Sequence, residues 1–99
     1  MIIRQGDVLL VKREMEGERV VQPKGKRIVL AEGETTGHAH AIDARDADVV
    51  EAGGLMFVVV PDEATLVHEE HAPAKLFGGE YLTGAQVEYA PAAIRRVLD

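Results

Sequence analysis

The chain has no cysteine, no tryptophan and no serine, and only two tyrosines and two phenylalanines. Without cysteine, a disulfide framework, a thiolate metal site and a cysteine nucleophile are all excluded. Without serine, so is the serine-hydrolase triad. Four aromatic rings leave little for a base-stacking platform. Long apolar runs are missing too: the longest, residues 55–61, falls far short of the ~20 residues a membrane helix needs. The opening residues turn polar at Arg4, Gln5 and Asp7, too early for a signal peptide. These absences lead to the expectation of a cytoplasmic protein of bacterial type with no membrane partner.

What is present fits one small domain spanning residues 1–99. A chain of this size hides only about two-thirds of its unfolded surface, so its stability margin is modest. The net charge of −6 is unevenly spread. Residues 1–30 carry seven basic and four acidic side chains, whereas residues 31–90 carry two and twelve. The basic cluster Lys24, Lys26 and Arg27 reads as a solvated loop. It is too small to replace many phosphate counterions, which argues against a nucleic-acid partner. An acidic body suits a cation better than an anion.

Short apolar stretches bounded by Gly and Pro dominate the pattern. Strands are expected at residues 8–13, 19–22, 27–31, 38–42, 48–51, 55–60, 65–68, 80–82 and 86–89. Gly53-Gly54 between two apolar runs predicts a hairpin. Turns are expected at residues 5–7, 61–63 and 78–79, and the glycine-rich segment 32–37 reads as a loop in which Thr35 and Thr36 bond the local backbone. Pro91 opens a short helical pattern to Leu98. No crossover helix long enough for an α/β fold is visible. The expected class is therefore all-β: a small barrel or sandwich of about 7–9 short strands with a short C-terminal helix.

The histidines carry the chemistry. All four fall in two pairs, His38-Ala39-His40 and His68-Glu69-Glu70-His71, with none elsewhere. On a strand, residues i and i+2 share a face, so His38 and His40 are expected to present two imidazoles side by side. That is half a site for Zn²⁺, Fe²⁺, Mn²⁺, Ni²⁺ or Cu²⁺. If the second stretch lies on a neighbouring strand, His68 adds a third ligand, and His71, Glu69 or Glu70 a fourth. Three protein ligands with an open position form a catalytic pattern, four a structural one. In the catalytic case Glu69 or Glu70 is the candidate general base. The two face opposite ways on a continuing strand, so one at most is expected to reach the site. The bland alternative is a metal-free hydrogen-bonded cluster, with imidazoles bridging backbone and carboxylates and titrating near neutral pH. Other chemistries fail on motif: Gly53-Gly54 lacks the Lys-Ser/Thr of a phosphate loop, and Asp43, Asp46 and Asp48 lack the glycine and terminal Glu of a calcium loop. Thr36 is the one hydroxyl beside a histidine pair, and a turn residue by preference.

Four stretches together resemble a group of small bacterial and phage proteins: Arg4-Gln5-Gly6-Asp7-Val8-Leu9-Leu10, Gly33-Glu34-Thr35-Thr36-Gly37-His38-Ala39-His40-Ala41-Ile42, Leu66-Val67-His68-Glu69-Glu70-His71-Ala72-Pro73 and Glu88-Tyr89-Ala90-Pro91-Ala92-Ala93-Ile94-Arg95. That resemblance covers most of the chain and brings no activity with it. A partial resemblance to the cupins, small metal-holding β-barrels, rests on Gly33 with His38-Ala39-His40 and on Gly54, Pro61 and His68. It implies His38, His40 and His68 as ligands. The positions where a cupin carries its glutamate hold Ala44 and Arg45, with Asp43 and Asp46 beside them, and the second motif lacks one glycine. Residues 8–13 also resemble the first strand of the small co-chaperonins, though the rest of the chain follows a different pattern.

The sequence thus supports two functions. One is a cupin-like protein holding a divalent transition metal (Zn, Fe, Mn or Ni) through His38, His40, His68 and His71 and acting on a small molecule it does not specify. The other is a non-enzymatic module, phage- or host-related, whose histidines stabilise the fold, sense pH or support a homo-oligomer through exposed strand edges.

Overall fold

A computed structural model describes residues 1–22, 24–32, 38–83 and 88–89, the side chains of residues 32, 88 and 89 excepted. Among them are nine strands and no helix: β1 (Ile2–Gln5), β2 (Val8–Lys12), β3 (Arg19–Val21), β4 (Arg27–Glu32), β5 (Ala39–Asp43), β6 (Asp48–Ala52), β7 (Leu55–Leu66), β8 (Ala74–Thr83) and β9 (Glu88–Tyr89). They form a six-stranded sheet in the order β1-β2-β8-β7-β6-β3 and a three-stranded sheet in the order β5-β4-β9, with every pairing antiparallel. The inward phases of both sheets meet in one core. Val8, Leu10, Val49, Val58, Val60, Leu66, Leu76 and Tyr81 come from the larger sheet, Ile28, Leu30 and Ile42 from the smaller. The opposite phase of β6 and β7, through Val50, Ala52 and Phe57, packs on Met15 in a second cluster.

The all-β expectation holds. Among the described residues the sheets do not close into a barrel; they meet at one corner, where Ala41 on β5 pairs with Val67 just past β7. The expected C-terminal helix, the loop at residues 33–37 and the first half of the last expected strand lie outside the described residues. The hairpin at Gly53-Gly54 is present: Ala52 faces Leu55, and both glycines take positive φ (58° and 80°), as a two-residue turn of this hand requires.

Three expectations need correction. Residues 2–5 form a strand, because the turn at Gly6-Asp7 folds β1 back on β2 with Gln5 opposite Val8. Pro61 does not end a strand, since β7 runs through it as a bulge. Val60 pairs with Gly79 and Glu63 with Phe77, leaving one extra residue on the β7 side, and a proline without an N–H is tolerated where the ladder is already interrupted. Gly78-Gly79 is accordingly no turn. A Cβ at Gly78 would lie 3.2 Å from the Pro61 carbonyl oxygen and 3.4 Å from that of Asp62, so glycine lets β8 pass close to the bulge.

Candidate metal centre

The Ala41–Val67 bridge decides what meets at the corner. The two residues exchange both backbone hydrogen bonds, each 2.9 Å. In an antiparallel register every step back along β5 matches a step forward past Val67. His40 therefore falls opposite His68, Ala39 opposite Glu69, and His38 opposite Glu70. A non-hydrogen-bonded pair beside a hydrogen-bonded one brings its side chains especially close. The contacts follow this register. The His40 and His68 rings lie 4.3 Å apart between centroids. The Ala39 amide donates to Glu69 Oε1 at 3.0 Å. His38 Nδ1 lies 3.1 Å from Glu70 Oε2. His71 closes the group, 4.7 Å from the His68 ring and 5.6 Å from that of His40.

The structure thus brings all four histidines together, in an arrangement other than the expected one. His40, His68 and His71 form one trio with nitrogen atoms within 4.8 Å of one another; His38, His68 and Glu69 form a second. His38 and His40 stand on either side of His68 and share no trio among the described residues, because His38 precedes β5 and is turned toward Glu70. His68 does not end a strand as expected. It follows the Val67 bridge in a bent connection, residues 67–73, which also carries His71. That bend lets both Glu69 and Glu70 reach the first histidine stretch, where a continuing strand would have allowed one.

The protonation pattern can be read from the partners. Gln5, buried at 4% exposure, donates from Nε2 to the carbonyls of Leu66 and Ala72, both at 2.9 Å. Its Oε1, an acceptor only, lies 2.9 Å from His40 Nδ1. The His40 ring must therefore carry its proton on Nδ1, which leaves the Nε2 lone pair unprotonated. Burial lowers the His40 pKa below its ordinary 6.5, and the neighbouring His68 and His71 lower it further, so the ring is held neutral. His68 differs, since its Nδ1 accepts from the Glu70 amide at 3.0 Å. The Glu69 carboxyl is held below its ordinary range, first by the Ala39 amide. Asp43, beside the position of a cupin glutamate, is engaged by Arg45 at 2.8 Å, and that hydrogen bonding brings its pKa down to about 2. Lys24, from the basic cluster, is folded back on the Ala44 and Ala47 carbonyls and on Asp48.

Two residues of this site escape a sequence reading that looks for ligands, Gln5 and Gly6. The available signal was phase: Gln5 falls two residues after Ile3, on the inward side of a strand, where an amide needs partners. A Cβ at Gly6 would lie 2.7 Å from His71 Nε2 and 3.2 Å from His40 Cε1, so the β1–β2 turn forms one wall of the cluster.

Comparison with family models matches residues 4–86 to a family described as a domain of unknown function (DUF8820). Neither a curated protein nor a solved structure matches the chain.

Proposed function

The chain belongs to DUF8820, a family of domains of unknown function, and on that premise we propose that it binds a divalent transition metal through His40, His68 and His71, with His38 as the fourth imidazole. One observation carries the reading: three imidazoles converge with nitrogens within 4.8 Å. Ligands about 2.1 Å from one ion stand roughly 3.4 Å apart in a tetrahedral site, so modest side-chain rotation gathers these three. At His40 the ring protonation supports it, whereas His68 offers a lone pair only by releasing the Glu70 amide from Nδ1. His40 has Nδ1 engaged by an oxygen acceptor, the outer-shell arrangement that presents Nε2 to a metal, and His38 Nδ1 lies 3.1 Å from Glu70 Oε2. Neutral nitrogen donors suit Zn, Ni, Fe or Mn. Glu69 clamps β5 through the Ala39 amide and Glu70 faces His38, and one of these carboxylates is the candidate base toward metal-bound water.

A second reading has its own support: the rings already have partners without an ion, His68 through the Glu70 amide and His40 through Gln5. In that reading the cluster fastens the loop to the sheet. Elemental mass spectrometry separates the two. Untagged protein purified without chelator is compared with His71→Ala. His71 is exposed, so its loss does little to a purely structural cluster. Near-stoichiometric metal in the parent and none in the folded variant is the expected result. No metal in the parent after Zn²⁺ supplementation leaves the structural reading.

A further inference from the structure

We infer that Gln5 is the positioning residue of the histidine centre: its one carboxamide holds His40 with Nε2 presented and clamps both ends of the loop that carries His68 and His71. The inference rests on the metal-binding reading for its consequence, though not for its geometry.

Three hydrogen bonds carry the argument. Leu66 and Ala72 flank the segment containing His68 and His71, and the Gln5 amide nitrogen donates to both carbonyls. Both amide protons are thereby used. The reversed amide would set its oxygen against two carbonyl oxygens, which cannot donate, so the orientation is fixed by its partners. Oε1 is left for His40 Nδ1. The three acceptor and donor groups come from β7, the loop and β5, segments 35 and more residues away in sequence. A single residue on a short edge strand thus joins the two histidine stretches. The following Gly6 takes φ of 56° and its backbone lies against His71 and His40, so the turn that delivers Gln5 also fits closely beneath the rings. A leucine at position 5 would fill similar space and make none of the three bonds. A glutamate would keep the acceptor for His40 and lose both donors.

The test uses the full chain with ¹⁵N-labelled histidine. Ring nitrogen shifts of the metal-free protein report which nitrogen of His40 bears the proton, and a chelator competition reports the affinity for Zn²⁺. In the parent, the proton is expected on His40 Nδ1. Gln5→Leu is expected to lose that preference and to bind Zn²⁺ about 10–100-fold more weakly, the usual cost of removing an outer-shell partner. Gln5→Glu is expected to keep the Nδ1 proton, which a merely space-filling role for Gln5 would not distinguish from Gln5→Leu. Should Gln5→Leu fail to fold, the Gln5→Glu ring spectrum and the parent spectrum still decide. A parent His40 protonated on Nε2, or a folded Gln5→Leu with parental Zn²⁺ affinity, overturns the inference. A parent that binds no Zn²⁺ yet shows the Nδ1 proton, lost in Gln5→Leu, sinks the metal reading and upholds the clamp.

Discussion

The two histidine-bearing segments are built to different standards of rigidity. His40 sits within β5, paired with Ala31 of β4 on one side and adjoining the Val67 bridge on the other, and is only 5% exposed. His68 and His71 sit in a connection held at its ends by the bridge and by Gln5, with His68 half-buried and His71 exposed. The ladder fixes the first segment residue by residue. The second is tied at its two ends, and between them by the side chains of Glu69 and Glu70 rather than by a ladder. Were the proposed metal to draw these nitrogens together by roughly an ångström, β5 would be the stationary wall and the adjustment would fall to the loop.

The largest expected effect breaks this asymmetry directly. His40→Ala leaves Gln5 Oε1 buried without its donor and opens space at the corner, so it should cost about 2–3 kcal/mol of unfolding free energy. His71→Ala, on the exposed side, should stay within about 0.5 kcal/mol. Both should abolish tight Zn²⁺ binding. Urea unfolding of the two metal-free variants measures the contrast, and equal losses would mean that the loop is as much a part of the core as β5.

Legibility in the sequence divides along the same line. β2, β4, β6 and the first half of β7 were readable because each is a short apolar, β-branched run bounded by turn residues, and Gly53-Gly54 fixed a hairpin by turn chemistry. The run of β7 through residues 61–64 and the first half of β8 were not, because Pro61 and Gly78 ordinarily mark turns and here face each other across a bulge. That information is in the pairing, and neither strand holds it alone. The histidine pairs stood out as a candidate site by residue type. What brings His40 opposite His68 is one bridge between Ala41 and Val67, two residues of no distinctive chemistry, so the register was invisible. Gln5 was hidden for a related reason: β1 is four residues long and the partners of Gln5 lie 35 to 67 positions away.

A pH dependence follows from the buried side alone. The folded pKa of His40 lies below its ordinary 6.5, so the unfolded chain takes up the proton first. The neutral ring's full stability is present above pH 6.5 and is lost as pH falls from there toward the lowered folded value. Burial is the main cause, and repulsion from His68 and His71 acts in the same direction. With chelator present, the urea midpoint should fall between pH 7.5 and pH 5.5, and His40→Ala should flatten that part of the profile. A parental midpoint that rises on acidification would show His40 to be charged in the fold, which its bond to Gln5 permits but its burial opposes.

The smallest expected effect concerns whether the β5 side gives the centre one imidazole or two. His38 lies at the margin of the stationary wall, and its Nδ1 faces Glu70 on the loop, with 25% and 61% side-chain exposure respectively. A contact so accessible to water contributes roughly 0–1 kcal/mol, so Glu70→Gln should leave the unfolding midpoint almost unchanged. Its influence on metal should be larger than its influence on folding. If His38 is the fourth ligand, the Glu70 carboxylate fixes its ring and raises its basicity, and Glu70→Gln should weaken Zn²⁺ binding by about tenfold. If His38 stands outside the coordination shell, affinity stays at the parental value while His71→Ala still abolishes binding. Chelator competition on the two variants side by side distinguishes these. An unchanged Glu70→Gln would remove His38 from the ligand set and leave a three-imidazole centre, with one ligand from the strand and two from the loop.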